Sequence, residues 1–574
     1  MSLILICQII LLSYQWNILP KVEEKKLVDF ATQLNISPVL AQVLLQRGVD
    51  TFEKAKSYFR PSLEMLHDPF LMKGMDDAVN RISQALGEGE KVLIYGDYDV
   101  DGTTSVALVY GFLQQFHGQC FYYIPDRYKE GYGVSQLGID YAEEEGVTLI
   151  ISLDCGIKAV DMVAYAKQKS IDFIICDHHL PSEQLPDAFA ILDPKQLDCK
   201  YPYKELCGVG VGFKFMQALC IQQDIPLESL YKFLDLVAIG TSADIVPITD
   251  ENRILVHYGL QQINQSPSLG VEALMKIVGF IDRRLSVSNL VFGIAPKINA
   301  AGRIGHGGEA VALLLEKTKE GAEEKAFLIN KSNENRRILD ASITQEALAE
   351  ISLSYPDRKS TVLYNSSWHK GVIGIVASRC IELYYRPTVI LTKSGDVAAG
   401  SVRSVKGYNV YEAIEQCGDL LEQFGGHAYA AGLTIAFDKI DEFRKRFEKI
   451  ISDTITDELL QPSIQIDAEL SLESITSSFY NILYQMDPFG PENMTPIFIS
   501  RAVKTKDVKL LKDVHLKIKV TQDGKTYIDV IGFGLGEYYD EILKAKHIDI
   551  CYTIEENVFR GKTSIQLMLK DVRI

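Results

Sequence analysis

Residues able to do chemistry concentrate in four acidic and histidine clusters: Asp97-Tyr98-Asp99-Val100-Asp101-Gly102, Asp154, Asp177-His178-His179 and Asp244. Carboxylate oxygens and neutral imidazole nitrogens are the donors that suit Mn²⁺ or Mg²⁺. So many carboxylates in one place cannot all ionise without cations to compensate them. Two divalent ions about 3.5–4 Å apart clamp the attacking and leaving oxygens of an in-line phosphoryl displacement, so the clusters predict a two-metal phosphoesterase. In that scheme Asp154 is the candidate bridge between the ions and His178 a nitrogen ligand. His179 is either an outer hydrogen-bonding group or a donor or general acid at the scissile phosphate. One aspartate at a strand end before glycine is also ordinary turn or capping chemistry. Four such clusters, one with adjacent histidines, go beyond that explanation.

The elements that must position these residues are legible around them. Val92-Leu93-Ile94-Tyr95 leads into the first cluster, Leu149-Ile150-Ile151-Ser152-Leu153 into the second and Phe173-Ile174-Ile175-Cys176 into the third, while Leu236-Val237-Ala238-Ile239 shortly precedes Asp244. In an open parallel α/β sheet, ligands sit beyond the carboxyl ends of the strands, so the clusters should converge there. Helices are expected near 38–48, 77–86, 105–116 and 159–168, with the catalytic unit ending near 300. Residues 309–351 are charge-rich and helical, and read as a solvated connecting helix. Strands near 360–364, 387–392 and 397–402, with helices near 372–384 and 440–455, make a second α/β unit. Within it, Gly425 and Gly426 would let backbone approach a phosphate closely, and His427 is either a substrate contact or a buried core histidine. From about residue 461 the pattern turns to period-two alternation, with a turn at Asp523-Gly524 and later strands near 548–554 and 564–572, which predicts a small β-barrel.

Composition sets the outer limits. A chain of 574 residues with 47% apolar content has material for several ordinary cores. Its ten cysteines include no C-x-x-C pair, which argues against zinc and disulfide frameworks and for buried thiols in a reducing cytosol. The net charge of −17 excludes a polyanion binder that works by overall charge. Phosphate contacts need only a local basic surface, which Arg127, Lys129, Arg303, Arg379 and Arg403 could line. Residues 2–13 are apolar but lack a basic flank and a cleavage site and are too short to span a bilayer, so they read as a start assigned too early. No other run is long or apolar enough to be transmembrane, and there is neither an internal repeat nor a low-complexity tract.

Ile94-Tyr95-Gly96-Asp97-Tyr98-Asp99-Val100-Asp101-Gly102 and Cys176-Asp177-His178-His179-Leu180-Pro181 resemble motifs of the DHH phosphoesterase superfamily. Asp126-Arg127-Tyr128-Lys129-Glu130-Gly131-Tyr132-Gly133, Leu206-Cys207-Gly208-Val209-Gly210-Val211, Ala243-Asp244-Ile245-Val246-Pro247, Asn299-Ala300-Ala301-Gly302-Arg303, Trp368-His369-Lys370-Gly371 and Phe424-Gly425-Gly426-His427 are similar to the RecJ branch of single-strand-specific DNA exonucleases. The resemblance implies an α/β protein in five segments: a mostly helical N-terminal segment (1–75), a parallel-sheet DHH catalytic domain (76–305), a long connecting helical linker (306–355), a second α/β, DHH-associated substrate-binding domain (356–460) and an OB-like β-barrel (461–574). It implies Asp97, Asp99, Asp101, Asp154, His178 and Asp244 at two Mn²⁺ or Mg²⁺ ions, leaving open which of the first three does not ligate. Arg127, Tyr132, Arg303, Arg379, Ser401, Arg403, Ser404, Gly426 and His427 are the implied substrate contacts.

The implied activity is 5′→3′ hydrolysis of single-stranded DNA to mononucleotides, in repair and recombination. A cytoplasmic location, a helicase and a single-strand-binding protein as partners, and no membrane are implied with it. Two rivals are a phosphodiesterase for oligonucleotides or cyclic dinucleotides and a non-catalytic replication scaffold. The barrel and chain length argue against the first, and the intact ligand set against the second.

Overall fold

The computed structural model describes residues 14–354, 357–559 and 561–574, so the reading of residues 2–13 as a misassigned start lies outside the described residues. A short strand, β1 (Gln15–Ile18), and three helices (Glu24–Leu34, Pro38–Gln46, Phe52–Phe59) precede the catalytic sheet. That sheet holds β2 (Val92–Gly96), β3 (Cys120–Tyr123), β4 (Leu149–Leu153), β5 (Asp172–Cys176) and β6 (Ala190–Leu192), all parallel, in the order β3-β2-β4-β5-β6. Every residue of β2 and β4 is buried, the mark of a parallel sheet covered by helices on both faces. Successive strands go to opposite sides of β2, so the crevice between β2 and β4 is the topological switch point of the sheet. The register pairs Gly96 with Leu153 and Leu153 with Cys176, which brings Asp97, Asp154 and Asp177 out level at that edge.

Two expectations need correction here. The helix expected at 105–116 is Val100–Leu113, because Asp99 caps it by accepting the Gly102 N–H at 3.1 Å. Its first turn is therefore the acidic motif itself, and the helix is buried on nearly all sides, which hides any periodicity. The stretch 309–351 is not a single solvated helix. It breaks between Gly308–Leu314 and the 36-residue helix Lys319–Ser354. Ala322, Ala326 and Ile329 of the long helix join the catalytic core, while Ile343, Ala347 and Ile351 join the next one. It is a strut buried along one stripe, with polar Asn333 and Asp340 buried midway.

Downstream, β7 (Thr361–Tyr364), β8 (Thr388–Ser394), β9 (Val397–Arg403), β10 (Leu421–His427) and β11 (Ala430–Ile435) form a sheet in the order β10-β11-β9-β8-β7, in which only β7 and β8 are parallel. Next, β12 (Ser463–Ile466) pairs in parallel with β1, and β13 (Ala468–Glu469) with β14 (Phe498–Leu511). Strands β15 (His515–Thr521), β16 (Ile528–Gly532), β17 (Ile548–Phe559) and β18 (Lys562–Arg573) continue from β14, and the pairing of β17 with β14 closes a five-stranded barrel. The N-terminal helices contribute Phe30, Leu40, Val43 and Leu44 to the barrel core.

Arg253 ties this unit to the catalytic lobe. Its guanidinium donates to the carbonyls of Tyr58, Met486, Asp487 and Pro488 at 3.0–3.3 Å and lies 3.9 Å from the Tyr58 ring. Among the described residues no single helix is long and apolar enough to cross a membrane. One bent helix pair, Glu24–Leu34 with Pro38–Gln46, passes by length and composition alone, and most of its apolar residues lie in or against the barrel core.

Candidate metal centre and substrate cleft

At the switch point the clusters converge. His178 Nε2 lies 3.1 Å from Asp154 Oδ1, 3.6 Å from Asp244 Oδ2 and 3.8 Å from Asp101 Oδ2. Two sets of donor atoms, each within 4.8 Å of one another, could hold a cation: Asp154, His178 and His179, and Asp101, His178 and Asp244. Asp154 occupies the first position after β4 with φ of +61°, a conformation rarely held by a non-glycine residue, and its N–H donates to the Cys176 carbonyl at 2.9 Å. Asp101 accepts from the Gly208 N–H (2.5 Å) and the Val209 N–H (2.8 Å), so the positive end of helix Gly208–Gln222 is aimed at it. A Cβ on Gly208 would lie 2.5 Å from the Asp154 Cβ and 3.0 Å from Asp101 Oδ2, so only glycine lets this helix come so close.

The donor set fits divalent metal. Both oxygens of Asp97 and Oδ2 of Asp244 are buried without a hydrogen-bond partner of good geometry, an arrangement that is costly unless a cation satisfies them. Burial, then repulsion from the neighbouring carboxylates, holds Asp97, Asp154 and Asp244 well above the usual carboxylate range, and the same causes raise Asp101 to about 7. Burial, reinforced by the charge of His179, lowers His178 to about 3, which keeps its imidazole neutral and able to ligate.

Asp177 has a different task. It accepts from the backbone N–H groups of Ile157, His178 and His179 and from His179 Nδ1 at 2.7 Å. Burial would raise Asp177, but the His179 hydrogen bond and charge bring it below the usual range. Burial likewise opposes the charged form of His179, and the Asp177 bond outweighs it, so His179 is raised. The Tyr132 hydroxyl, 3.2 Å from His179 Nε2, donates to the Asp154 carbonyl at 3.2 Å and so accepts from that nitrogen.

Beyond the carboxylates stands a group of arginines drawn from three parts of the chain. Arg127 lies 4.9 Å over the Tyr98 ring. Arg303 donates to the Gly371 carbonyl at 3.1 Å, and burial followed by the charges of Arg127, Arg336 and Arg403 lowers it to about 10. On β9, Arg403 donates to Ser401 Oγ (3.1 Å) and the Val402 carbonyl (2.8 Å), and burial and Arg127 lower it too. The hydroxyl of Ser404 is engaged by the Tyr408 carbonyl at 2.8 Å. Gly426 has φ of +145°, and a Cβ there would meet Ala430 O and Ala431 Cα at 2.5 Å, so close strand packing also requires this glycine. His427 is exposed, which rules out a core histidine. Partial burial, then the charges of His179, Lys158 and Lys195, hold it below its ordinary value, so it faces the catalytic lobe. Arg379 is bound to Asp340 at 2.8 Å.

Comparison with known proteins bears directly on this arrangement. The family models described as DHH family, N-terminal domain, DHHA1 domain and RecJ OB domain match residues 91–241, 357–453 and 466–571. The single-stranded-DNA-specific exonuclease RecJ of Bacillus subtilis is 36% identical over 564 residues, covering 98% of this chain and 71% of that protein. The same-named protein of Salmonella typhimurium is 33% identical, covering 94% and 96%. The chain belongs to the RecJ family. RecJ of Thermus thermophilus, solved in complex with Mn²⁺, superposes with a TM-score of 0.85 at 25% identity over 98% of this chain and 80% of that one. An exonuclease RecJ bound to manganese gives 0.60 at 31% identity, over 69% and 98%. The expected architecture of a parallel-sheet DHH domain, a DHHA1 domain and an OB-like barrel is borne out.

Within this RecJ-family site, the sequence reading missed Arg336, Lys158 and Lys195. Arg336 lay in a helix whose abundant charges look like a solvated face. Lys158 follows the Asp154 cluster closely, Lys195 lies in no quoted motif, and no spacing rule marks either out.

Proposed function

We propose that this chain is a divalent-metal-dependent exonuclease that takes mononucleotides from the 5′ end of single-stranded DNA. What supports it most is a buried histidine ringed by partly unsatisfied carboxylates, directly beside arginines contributed by both lobes. Asp97, Asp99, Asp101, Asp154, His178 and Asp244 would hold two Mn²⁺ or Mg²⁺ ions, with Asp154 between them. When bound, the ions supply water activation and neutralisation of phosphate charge. Asp154 and His178 fix the geometry of that set, and the Gly208 helix end steadies Asp101.

His179 is oriented by Asp177, whose hydrogen bond favours its charged form, so its Nε2–H could serve the departing 3′ oxygen or hydrogen-bond the charged phosphoryl group. Arg127, Arg303 and Arg403, with Ser401 and His427, would grip the phosphates near the terminus. Residues 356–460 are then the substrate-binding lobe. The end preference follows the family resemblance, as does a setting in repair and recombination. A helicase to open duplexes and a single-strand-binding protein are the partners such an enzyme needs. Nine described cysteines that are buried and free suit a reducing cytoplasm.

Digestion of 5′-labelled and 3′-labelled single-stranded DNA in Mn²⁺ or Mg²⁺ tests the proposal. Early release of the 5′ label as a mononucleotide is expected. Release from the 3′ label first would overturn the polarity, and faster turnover of a cyclic dinucleotide than of a long strand would overturn the substrate.

A further inference from the structure

Helix Gly208–Gln222 points its first turn at Asp101, and ~14 Å further along its axis Gln217 lines a separate cleft of the catalytic lobe. The cleft has a volume of about 480 Å³, inside the roughly 300–1,000 Å³ range of small-molecule sites. Gln217 is 6% exposed, and its Oε1 is buried without a hydrogen-bond partner, which costs stability until a donor arrives. A half-turn of the terminal amide, whose torsion is soft, presents that oxygen to the cleft. Two carboxylates stand at the same place. Glu64 lies in the short helix Leu63–Met65, which Ser62 caps by accepting the Glu64 N–H at 3.3 Å, and Glu228 opens helix Glu228–Tyr231. Both are exposed, and among the described residues neither has an ion-pair partner. Two phenol rings, Tyr231 and Tyr258, and the apolar side chains of Leu63, Leu66 and Leu227 complete the lining with Ser62. The Tyr258 hydroxyl is committed to the Pro61 carbonyl at 3.2 Å. Tyr231 is raised by burial first and by the Glu228 charge second, so that ring and that carboxylate are neighbours. Among the described residues no lysine or arginine lines the cleft.

We propose that this cleft binds a linear aliphatic polyamine, a chain of methylenes carrying two or more ammonium groups. Each part of the lining answers a part of that ligand. The methylenes cover the three leucines, the ammonium groups meet Glu64 and Glu228 and the faces of the tyrosine rings, and one N–H supplies the donor that Gln217 lacks. Other ligand classes fit less well. An anion would be repelled by both carboxylates, a hard divalent cation wants six or more oxygens rather than leucines, and a neutral apolar molecule would leave the Gln217 amide unanswered. The ligand would tie the segment Ser62–Leu66 to helices Gly208–Gln222, Glu228–Tyr231 and Asp250–Gln265, and so stabilise the catalytic lobe by mass action. The site is independent of the reaction at the metal centre.

Calorimetric titration of the full-length protein with spermidine, at physiological salt so that diffuse attraction is screened, tests the site. One saturable site with a Kd of about 1 mM or tighter is expected, together with a rise in Tm that follows spermidine concentration. Gln217→Leu and Glu228→Gln should each weaken binding about tenfold, as the loss of one charge-assisted contact or one buried acceptor would. Glu228→Gln changes an exposed side chain, so it decides the matter if Gln217→Leu folds poorly. Exonuclease activity without spermidine should be the same in Glu228→Gln as in wild type. The absence of saturable binding below about 10 mM would overturn the proposal, and so would wild-type affinity in both variants, which is the mark of general attraction to an acidic chain. Tighter binding of arginine ethyl ester than of spermidine would overturn the polyamine in favour of a guanidinium ligand.

Discussion

Crowding carboxylates around one histidine sets the behaviour of individual residues. Asp97, Asp101, Asp154 and Asp244 are all raised, by burial first and mutual repulsion second. A folded-state value above the unfolded one means that the stability these protons confer is full below the unfolded value of roughly 4. It is lost as pH rises through the folded value, which for Asp101 is about 7. Metal-free protein should therefore lose thermal stability between pH 5 and 8, and added Mn²⁺ should raise Tm more at pH 8 than at pH 5. A metal-induced shift independent of pH would refute this. Asp154→Ala should abolish hydrolysis, leave single-strand binding nearly intact and leave metal-free Tm unchanged or higher as one repulsive charge goes. Activity near wild type in saturating Mn²⁺ would refute the bridging role. Asp177→Asn should lower kcat and move the alkaline limb of the pH profile downward, because His179 loses the bond that raises it; a limb that stays in place would exclude His179 as proton donor. Much at this scale was legible, since Asp97, Asp154 and His178 announce themselves by type and position. The division of labour between Asp177 and its neighbours was not, because it depends on which backbone N–H groups each carboxylate meets in the fold.

Among the elements, the glycine at the start of helix Gly208–Gln222 gives the sharpest test. Gly208→Ala places a methyl within 2.5 Å of the Asp154 Cβ. It should push that helix end away from Asp101, cost about 1–3 kcal/mol in stability and weaken Mn²⁺ affinity as read by calorimetry; wild-type affinity would show that the helix end is dispensable. The strands of the catalytic sheet were readable because buried parallel strands are continuous apolar runs. Helices fared less well where burial or charge masks the period: Val100–Leu113 starts inside the acidic motif, and Lys319–Ser354 hides a narrow apolar stripe among many charges. Strand β10 was concealed by its own glycines, since Gly425 and Gly426 carry no strand signal.

For the whole molecule, Arg253 is the pin between catalytic lobe and barrel unit. Arg253→Ala takes a donor from four carbonyls, of which those of Met486 and Pro488 keep the Asn493 Nδ2 donor, at about 1–3 kcal/mol for each group left truly unsatisfied. A separate low-temperature unfolding transition should appear by calorimetry, with exonuclease activity on short substrates outlasting that on long ones; a single cooperative transition at the wild-type temperature would refute it. The union of β1 with β12, and of the first helices with the barrel, also has a consequence in time. Gln15 hydrogen-bonds Gln461 across 446 positions of chain. At ~5–20 residues per second, a ribosome would finish the first partner roughly 20–90 s before the second exists. Throughout that interval the apolar faces of the opening helices have nothing to close on, so nascent chains should depend on chaperone cover that the finished enzyme no longer needs.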